Sequence, residues 1–269
     1  ALPNVYPGYQ QVSDPNVRAK FEAAWKVSLN PNPGLMLPDM FGAAINKQLR
    51  MMYIMGEDPV LTDADANHVR KGLEALDFLV VQDLFLSETA KLADVVLPGS
   101  SFAEKTGTFT NTERRVQMVN QAIKPLGGKT DGEIICELAK RLGYGHLFSY
   151  NSAAEIMDEI ASLTPQYAGI SHERLGTVGL QWPVWDYNHP GVKFLHEGKF
   201  TRGKGLFKAI DYIDPNELPD EEYPFLLTTG RKLQHYNIMS RKSQALDEHS
   251  PEELAEVNPE DAARLGIAD

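Results

Sequence analysis

The chain has 269 residues, 42% of them hydrophobic and 23% charged, which suits one or two soluble domains with cores of their own. Its net charge of -11 argues against a general nucleic-acid or anionic-membrane surface, and no apolar stretch has the length of a membrane span or the pattern of a signal peptide. A single cysteine excludes an internal disulfide framework and any iron–sulfur cluster held wholly by this chain.

The chain opens on Ala1-Leu2-Pro3-Asn4 and closes straight after a predicted helix, so it reads as a piece of something longer. Residues 1–15 are rich in Pro, Tyr and Gly and are expected to be irregular. Asp14-Pro15 then reads as an N-cap followed by Pro at the first helical position, opening a helix with Val17, Phe21, Ala24 and Trp25 on one side. After a Pro- and Asn-rich loop, Asp39 is expected to cap a short helix carrying Met40, Ala43 and Ala44.

Three short apolar runs follow, at 51–55, 78–81 and 93–97, each ending in polar or turn-forming residues. Between the first two, Ala66, Val69, Leu73 and Leu76 mark one face of a helix. Continuous apolar runs alternating with a helical pattern predict a parallel sheet, and such sheets bind ligands outside the carboxyl ends of their strands. Those ends carry Gly56-Glu57-Asp58-Pro59, Gln82-Asp83 and Pro98-Gly99-Ser100-Ser101; the basic segment around Lys105 follows the third. The pattern suits a large anionic ligand.

Further on, Thr130-Asp131-Gly132-Glu133 reads as a capping box whose helix buries Ile134, Ile135, Leu138 and Leu142 and stops at Gly143 or Gly145. Ser152-Ala153-Ala154-Glu155 reads as a second box, with Ala153, Ile156, Met157 and Ile160 on one helix face. Residues 162–222 predict loops and short hairpins, including one around Arg202-Gly203-Lys204-Gly205, then an acidic linker from Pro215. A strand is expected over 225–229, and a last helix between an Asn258 cap, Pro259 and a Gly266 stop. Cys136 reads as a packed residue, and the histidines show no metal-ligand spacing.

Tyr53-Ile54-Met55-Gly56-Glu57-Asp58-Pro59 resembles a turn of the molybdopterin oxidoreductases. The segments 80–90, 93–98 and 102–115 resemble the same family, as does Pro224-Phe225-Leu226-Leu227-Thr228-Thr229-Gly230-Arg231 with His235-Tyr236. Within the family, the catalytic subunits of molybdenum- or tungsten-dependent formate dehydrogenases are most similar. The resemblance implies an α/β fold, with a Rossmann-like, mostly parallel sheet and flanking helices over 1–215. The beginning of a C-terminal β-barrel domain that binds molybdopterin dinucleotide would occupy 216–269.

It also implies that this part of the enzyme binds a molybdopterin guanine dinucleotide through Gly56, Glu57, Asp58, Pro59, Gln82, Asp83, Ser87, Lys105, Asp131, Gly230, Arg231 and His235. Asp83 would read the guanine edge, Lys105 meet phosphate or pterin, and Asp131 accept from pterin amino groups. Each has a plainer alternative: Asp83 as a helix cap, Lys105 as a solvated lysine, Asp131 as a first-turn acid at a helix dipole. One of Arg114 and Arg115 is expected to pair with Glu113 or Glu104. The family commonly has Asn at the position of Asp58 and often Thr at that of Ser87.

The family's cysteine cluster, its metal-ligating Cys or selenocysteine and its substrate arginine are absent from this sequence. Any 4Fe-4S cluster is therefore expected outside it, and the isolated chain is expected to be inactive. Expected partners are the remaining domains of the parent chain and electron-transfer subunits of iron–sulfur or flavin/NAD type. The expected location is cytoplasmic, with export as a folded holoenzyme left open. Two alternatives remain: another oxidoreductase of this superfamily, such as a nitrate reductase, and a non-catalytic module of the same fold.

Overall fold

The computed structural model describes residues 2–200, 202–235 and 239–268. They form two compact units, 1–206 and 207–269. The first unit opens with a small antiparallel pair, β1 (Val5–Tyr6) and β2 (Gln10–Gln11), followed by helix α1 (Pro15–Trp25). Asp14 caps α1 by accepting from the backbone N–H groups of Asn16 at 2.8 Å and Val17 at 3.3 Å. Phe21 is fully buried and stacks on Tyr6, whereas Ala24, expected on the same side, is exposed.

Helix α2 (Leu37–Ile45) starts two residues before Asp39. Pro38 fits the first turn and extended Met36 precedes it, so Asp39 lies inside the first turn instead of capping it.

The central sheet consists of β3 (Met51–Met55), β4 (Phe78–Asp83) and β5 (Val95–Pro98), all parallel, in the order β3-β4-β5. Helices α3 (Pro59–Thr62) and α4 (Ala66–Glu74) connect the first two strands. Phe41, Val60, Val69 and Leu73 from the helices meet Met52, Ile54, Leu79 and Val81 in one core. The α2–α4 crossing is tight enough that a Cβ on Gly72 would lie 2.7 Å from Phe41 Cβ and 2.9 Å from its Cα. The expected parallel sheet with flanking helices is present.

A second sheet, antiparallel, joins β6 (Gly107–Thr110), β7 (Arg115–Val119) and, after three helices, β8 (Leu180–Gln181). These helices are α5 (Asp131–Arg141), α6 (Ala153–Leu163) and α7 (His172–Leu175). Val116, Met157, Ala161, Ile170, Leu175 and Val184 form the core beneath them. Two arginines brace the connecting loops through backbone carbonyls. Arg114 donates to Trp182 O, to Val192 O at 3.3 Å and to Lys193 O at 3.1 Å. Arg174 donates to Gly169 O, to Asp186 O at 3.3 Å and to His189 O at 3.0 Å.

The reciprocal capping box forms at α5: Thr130 Oγ1 accepts from Glu133 N, and the Glu133 carboxylate accepts from Thr130 N at 2.7 Å. Gly143, at φ +89°, follows its end. The expected buried stripe does not form, because Leu138 and Leu142 are 37% and 65% exposed and Ala139 is the buried residue. Periodicity tells which residues share a face, and this chain places little against that face. At α6, Ser152 Oγ accepts from Glu155 N, but Glu155 binds the backbone and side-chain amides of Asn151 instead of returning to Ser152. Asn151, one residue upstream, presents both its backbone and its side-chain N–H groups to that carboxylate.

In the second unit, α8 (Gln244–His249) precedes α9 (Pro259–Leu265), which is capped by Asn258 and stopped by Gly266 at φ +68° as expected. Residues 225–229 are not a strand and no closed barrel is present among the described residues. A strand is stable only when its backbone groups are paired, and the described residues provide no neighbouring strand there. In place of the hairpin expected around Arg202-Gly203-Lys204-Gly205, the described residues show a single bridge between Phe200 and Gly203.

Candidate functional site

The carboxyl ends of all three parallel strands lie at one edge of the sheet, and polar residues from the second and third of them converge there. The register places Met55 beside Gln82 and Gln82 beside Leu97, while Asp83 pairs with Pro98. Gly99 continues the contact, its N–H donating to Asp83 O at 2.8 Å. A Cβ at Gly99 would lie 3.2 Å from the Asp83 carbonyl carbon and 3.3 Å from Asp131 Oδ1. The third turn thus packs its backbone closely against the second.

Asp131, in the first turn of α5, is the centre of the convergence. Its Oδ1 accepts from Gln82 Nε2 at 2.7 Å and from Ser100 N at 3.2 Å. Its Oδ2 accepts from Ser100 Oγ at 2.9 Å and from the Lys105 ammonium. Lys105 also donates to Ser100 O at 2.9 Å. Burial pushes the Asp131 carboxyl upward, but the hydrogen bonds from Lys105, Gln82 and Ser100 outweigh it and hold the group below the ordinary carboxylate range. Gln82 is only 1% exposed, and its Oε1 accepts from Tyr53 OH. Burial, and then the charge of Asp131, raise the Tyr53 phenol above its ordinary value.

Asp83 closes β4 half-buried. Its Oδ1 accepts from Leu84 N at 2.6 Å and Phe85 N at 3.5 Å, so it caps the following turn. The backbone fixes one oxygen, while Oδ2 meets no donor among the described residues.

In the first turn Gly56 has φ +65°, the left-handed region that favours glycine, and a Cβ there would meet nothing within 4 Å. Its N–H is committed to Gln82 O at 2.9 Å, and Glu57 is exposed. Asp58 turns inward: its Oδ1 accepts from Thr89 N at 3.0 Å and Thr89 Oγ1 at 2.7 Å, and its Oδ2 is buried without a partner. Pro59 is buried as the first residue of α3. Ser87 is also buried, its Oγ accepting from Ala90 N at 3.2 Å. Asp58 and Ser87 therefore order the loop that follows Asp83.

The structure thus joins Gln82, Lys105 and Asp131 directly, and Asp83 to them through Gly99. Arg115 pairs with Glu113 at 2.7 Å. Gly230, Arg231 and His235 belong to the second unit, where Gly230 and Arg231 are exposed and His235 is buried. Ser250 O lies 2.7 Å from His235 Nε2; a carbonyl only accepts, so that nitrogen carries a proton, and Nδ1 lies 3.3 Å from Ser240 Oγ. Tyr236, singled out with His235, lies outside the described residues.

The sequence named Tyr53 in the first turn's motif and Ser100 at the third strand's carboxyl end, but assigned neither a role in the site. Alternation along β3 places Tyr53 on the same face as Met55, hence on that of Gln82, once the register is known. The run Ser101-Phe102-Ala103-Glu104 is a visible box signature, and it forms: Glu104 accepts from Ser101 N at 2.7 Å and from Leu126 N at 2.6 Å. Among the described residues no group of three or more His, Cys, Asp or Glu is placed to hold a metal ion, and no helix is long and apolar enough to cross a membrane.

Residues 13–141 match the family model described as molybdopterin oxidoreductase, and 225–269 match the one described as molydopterin dinucleotide binding domain. The chain is similar to F420-dependent formate dehydrogenase subunit alpha of Methanocaldococcus jannaschii, 51% identical over 272 residues, which are 99% of this chain and 40% of that protein. It is likewise similar to formate dehydrogenase H of Escherichia coli, 41% identical over 279 residues, 100% of this chain and 39% of that one. Among solved structures, acetylene hydratase from Pelobacter acetylenicus superposes with a TM-score of 0.61 at 20% identity, over 94% of this chain and 38% of that one, a likeness of fold alone. The chain spans about 40% of the length of its first curated relatives.

Proposed function

Because the chain belongs to the molybdopterin oxidoreductase family, we propose that it holds the guanine-dinucleotide end of the cofactor in the catalytic subunit of a formate dehydrogenase. The relatives' names support formate as the substrate. When bound, the cofactor would supply a molybdenum or tungsten centre able to accept the two electrons released as formate becomes carbon dioxide and a proton. This chain's residues bind and orient the cofactor's nucleotide. The metal ligand, a 4Fe-4S cluster and the electron-accepting subunits belong outside it, and the chain alone is inactive.

The observation that carries the reading is the Asp83 carboxylate. It sits at the carboxyl end of the central strand with Oδ1 fixed by backbone and Oδ2 meeting no donor among the described residues. A guanine presents two adjacent N–H donors, on N1 and N2, and an oriented carboxylate accepts from both. Gly56, open above its Cα, leaves room for the sugar–phosphate chain beside it. Lys105 uses two ammonium hydrogens within the protein, on Asp131 and Ser100, and keeps a third for a phosphate. In the second unit His235, engaged through both ring nitrogens, holds its own loop in shape.

The test is cofactor content in the full-length enzyme. Asp83→Asn replaces an acceptor with a donor, which costs on the order of 1–3 kcal/mol for each group left unsatisfied. Guanine dinucleotide per polypeptide, quantified by oxidised pterin fluorescence, should fall while the fold persists. Asp94→Asn is the control, because Asp94 Oδ2 binds Leu79 N at 2.7 Å near the amino ends of β4 and β5. Full occupancy in Asp83→Asn with loss in Asp94→Asn would refute the placement.

A further inference from the structure

The Asp131 carboxylate has no capacity left for a ligand. A carboxylate offers about four lone-pair sites, and four protein donors occupy them: Gln82 Nε2 and Ser100 N on Oδ1, Ser100 Oγ and Lys105 Nζ on Oδ2. The backbone N–H of Asp131 is also engaged, donating to Ser100 Oγ at 3.1 Å. These donors come from the end of β4, the turn after β5 and the segment leading into β6, so one side chain ties three separate stretches to the start of α5.

We infer that Asp131 is a positioning residue, which orients the Lys105 ammonium and the Gln82 amide at the sheet edge and does not itself touch the cofactor. The inference rests on the reading of Lys105 as a cofactor contact. Gln82 shows why the anion is required. The carboxylate only accepts, so the Gln82 amide nitrogen must face it, and Oε1 is left to accept from Tyr53 OH. An Asn at 131 would place its own amide nitrogen against either the Ser100 backbone N–H or the Lys105 ammonium, a donor against a donor in both orientations. Lys105 would then keep Ser100 O as its remaining partner and lose its fixed direction.

A double-mutant cycle on the full-length enzyme tests this, with the release rate of guanine dinucleotide from the purified protein as the readout. Lys105→Met should accelerate release about tenfold or more, the scale of a lost hydrogen bond to a charged group. Asp131→Asn should accelerate it by a similar factor, and the double variant should release no faster than Lys105→Met alone. If the two factors multiply, Asp131 contacts the cofactor independently and the inference is overturned. If Asp131→Asn accelerates release while Lys105→Met does not, the inference again fails, along with the assignment of Lys105, though Asp83 can still read the base. If neither variant changes release, both the inference and the placement of Lys105 fall. Should Asp131→Asn not fold, Ser100→Ala takes its place in the cycle. It removes one of the four donors and keeps the charge, so it should loosen Lys105 less and again add nothing to Lys105→Met; a multiplied effect overturns the inference.

Discussion

Replacing Gly72 by Ala should destabilise the first unit, although the same change in most exposed helix interiors stabilises. Intrinsic propensity favours Ala over Gly by about 1 kcal/mol in a helix. At Gly72, however, the new methyl would lie 2.7 Å from Phe41 Cβ, 2.9 Å from its Cα and 3.1 Å from its carbonyl oxygen. Two of those atoms are backbone and cannot rotate away. Restoring an ordinary carbon–carbon contact requires α2 to retreat by about 1 Å. That shift would pull Phe41, 1% exposed, away from Val69 and Leu73 in the core. Overpacking of this kind typically costs about 1–3 kcal/mol, and the rigid obstacle places this site near the upper end, leaving a net loss of about 1–2 kcal/mol after the propensity gain. Gly42, within α2, is the internal control, since a Cβ there meets nothing within 4 Å; Gly42→Ala should gain up to about 1 kcal/mol. Urea unfolding followed by tryptophan fluorescence reads both changes, because Trp25, Trp182 and Trp185 all lie in the first unit. A Gly72→Ala variant as stable as the parent would refute the described closeness of α2 and α4.

The low carboxyl pKa of Asp131 makes stability acid-sensitive. A group with a depressed folded pKa contributes fully above its unfolded value and loses that contribution as pH falls through the folded one. The stability gap between wild type and Asp131→Asn should therefore be constant near neutrality and shrink as pH drops below 3.8, and urea midpoints at several pH values would show it. Tyr150, raised to about 12 by burial and then by its hydrogen bond to Glu159, should stay protonated at pH 11 in the folded chain. Its contribution is present below the unfolded pKa and fades as pH rises through the folded one; an ultraviolet titration that loses one late-ionising phenol in Tyr150→Phe would identify it. Limited proteolysis should cut first within 207–230, where every residue is exposed and no helix or strand forms, and first cleavage inside β3 to β5 would contradict the unit division.

The central sheet was legible because its signals are local. Each apolar run at 51–55, 78–81 and 93–97 stops at a turn, and strands formed with only small shifts at their ends. Caps at Asp14, Thr130 and Asn258 were equally legible, since cap and N–H lie within three residues of each other. Tyr53 and Ser100 were not, because their roles depend on partners 29 and 31 residues away in sequence. Leu138 and Leu142 mark a different limit: an apolar stripe specifies a face but not what lies against it. The expected strand at 225–229 failed for a related reason, since a short apolar run becomes a strand only beside another strand.

Arg114 and Arg174 each rest on three backbone carbonyls, and among the described residues neither is joined to a carboxylate in an ion pair. Dipoles that belong to the chain itself cannot be titrated and do not exchange with dissolved anions. Brine strong enough to loosen exposed pairs such as Arg50–Asp77, whose side chains are 77% and 42% exposed, would leave these half-buried contacts nearly intact. The loops from 165 to 193 should thus hold their shape across osmotic extremes that erase much of the surface electrostatics.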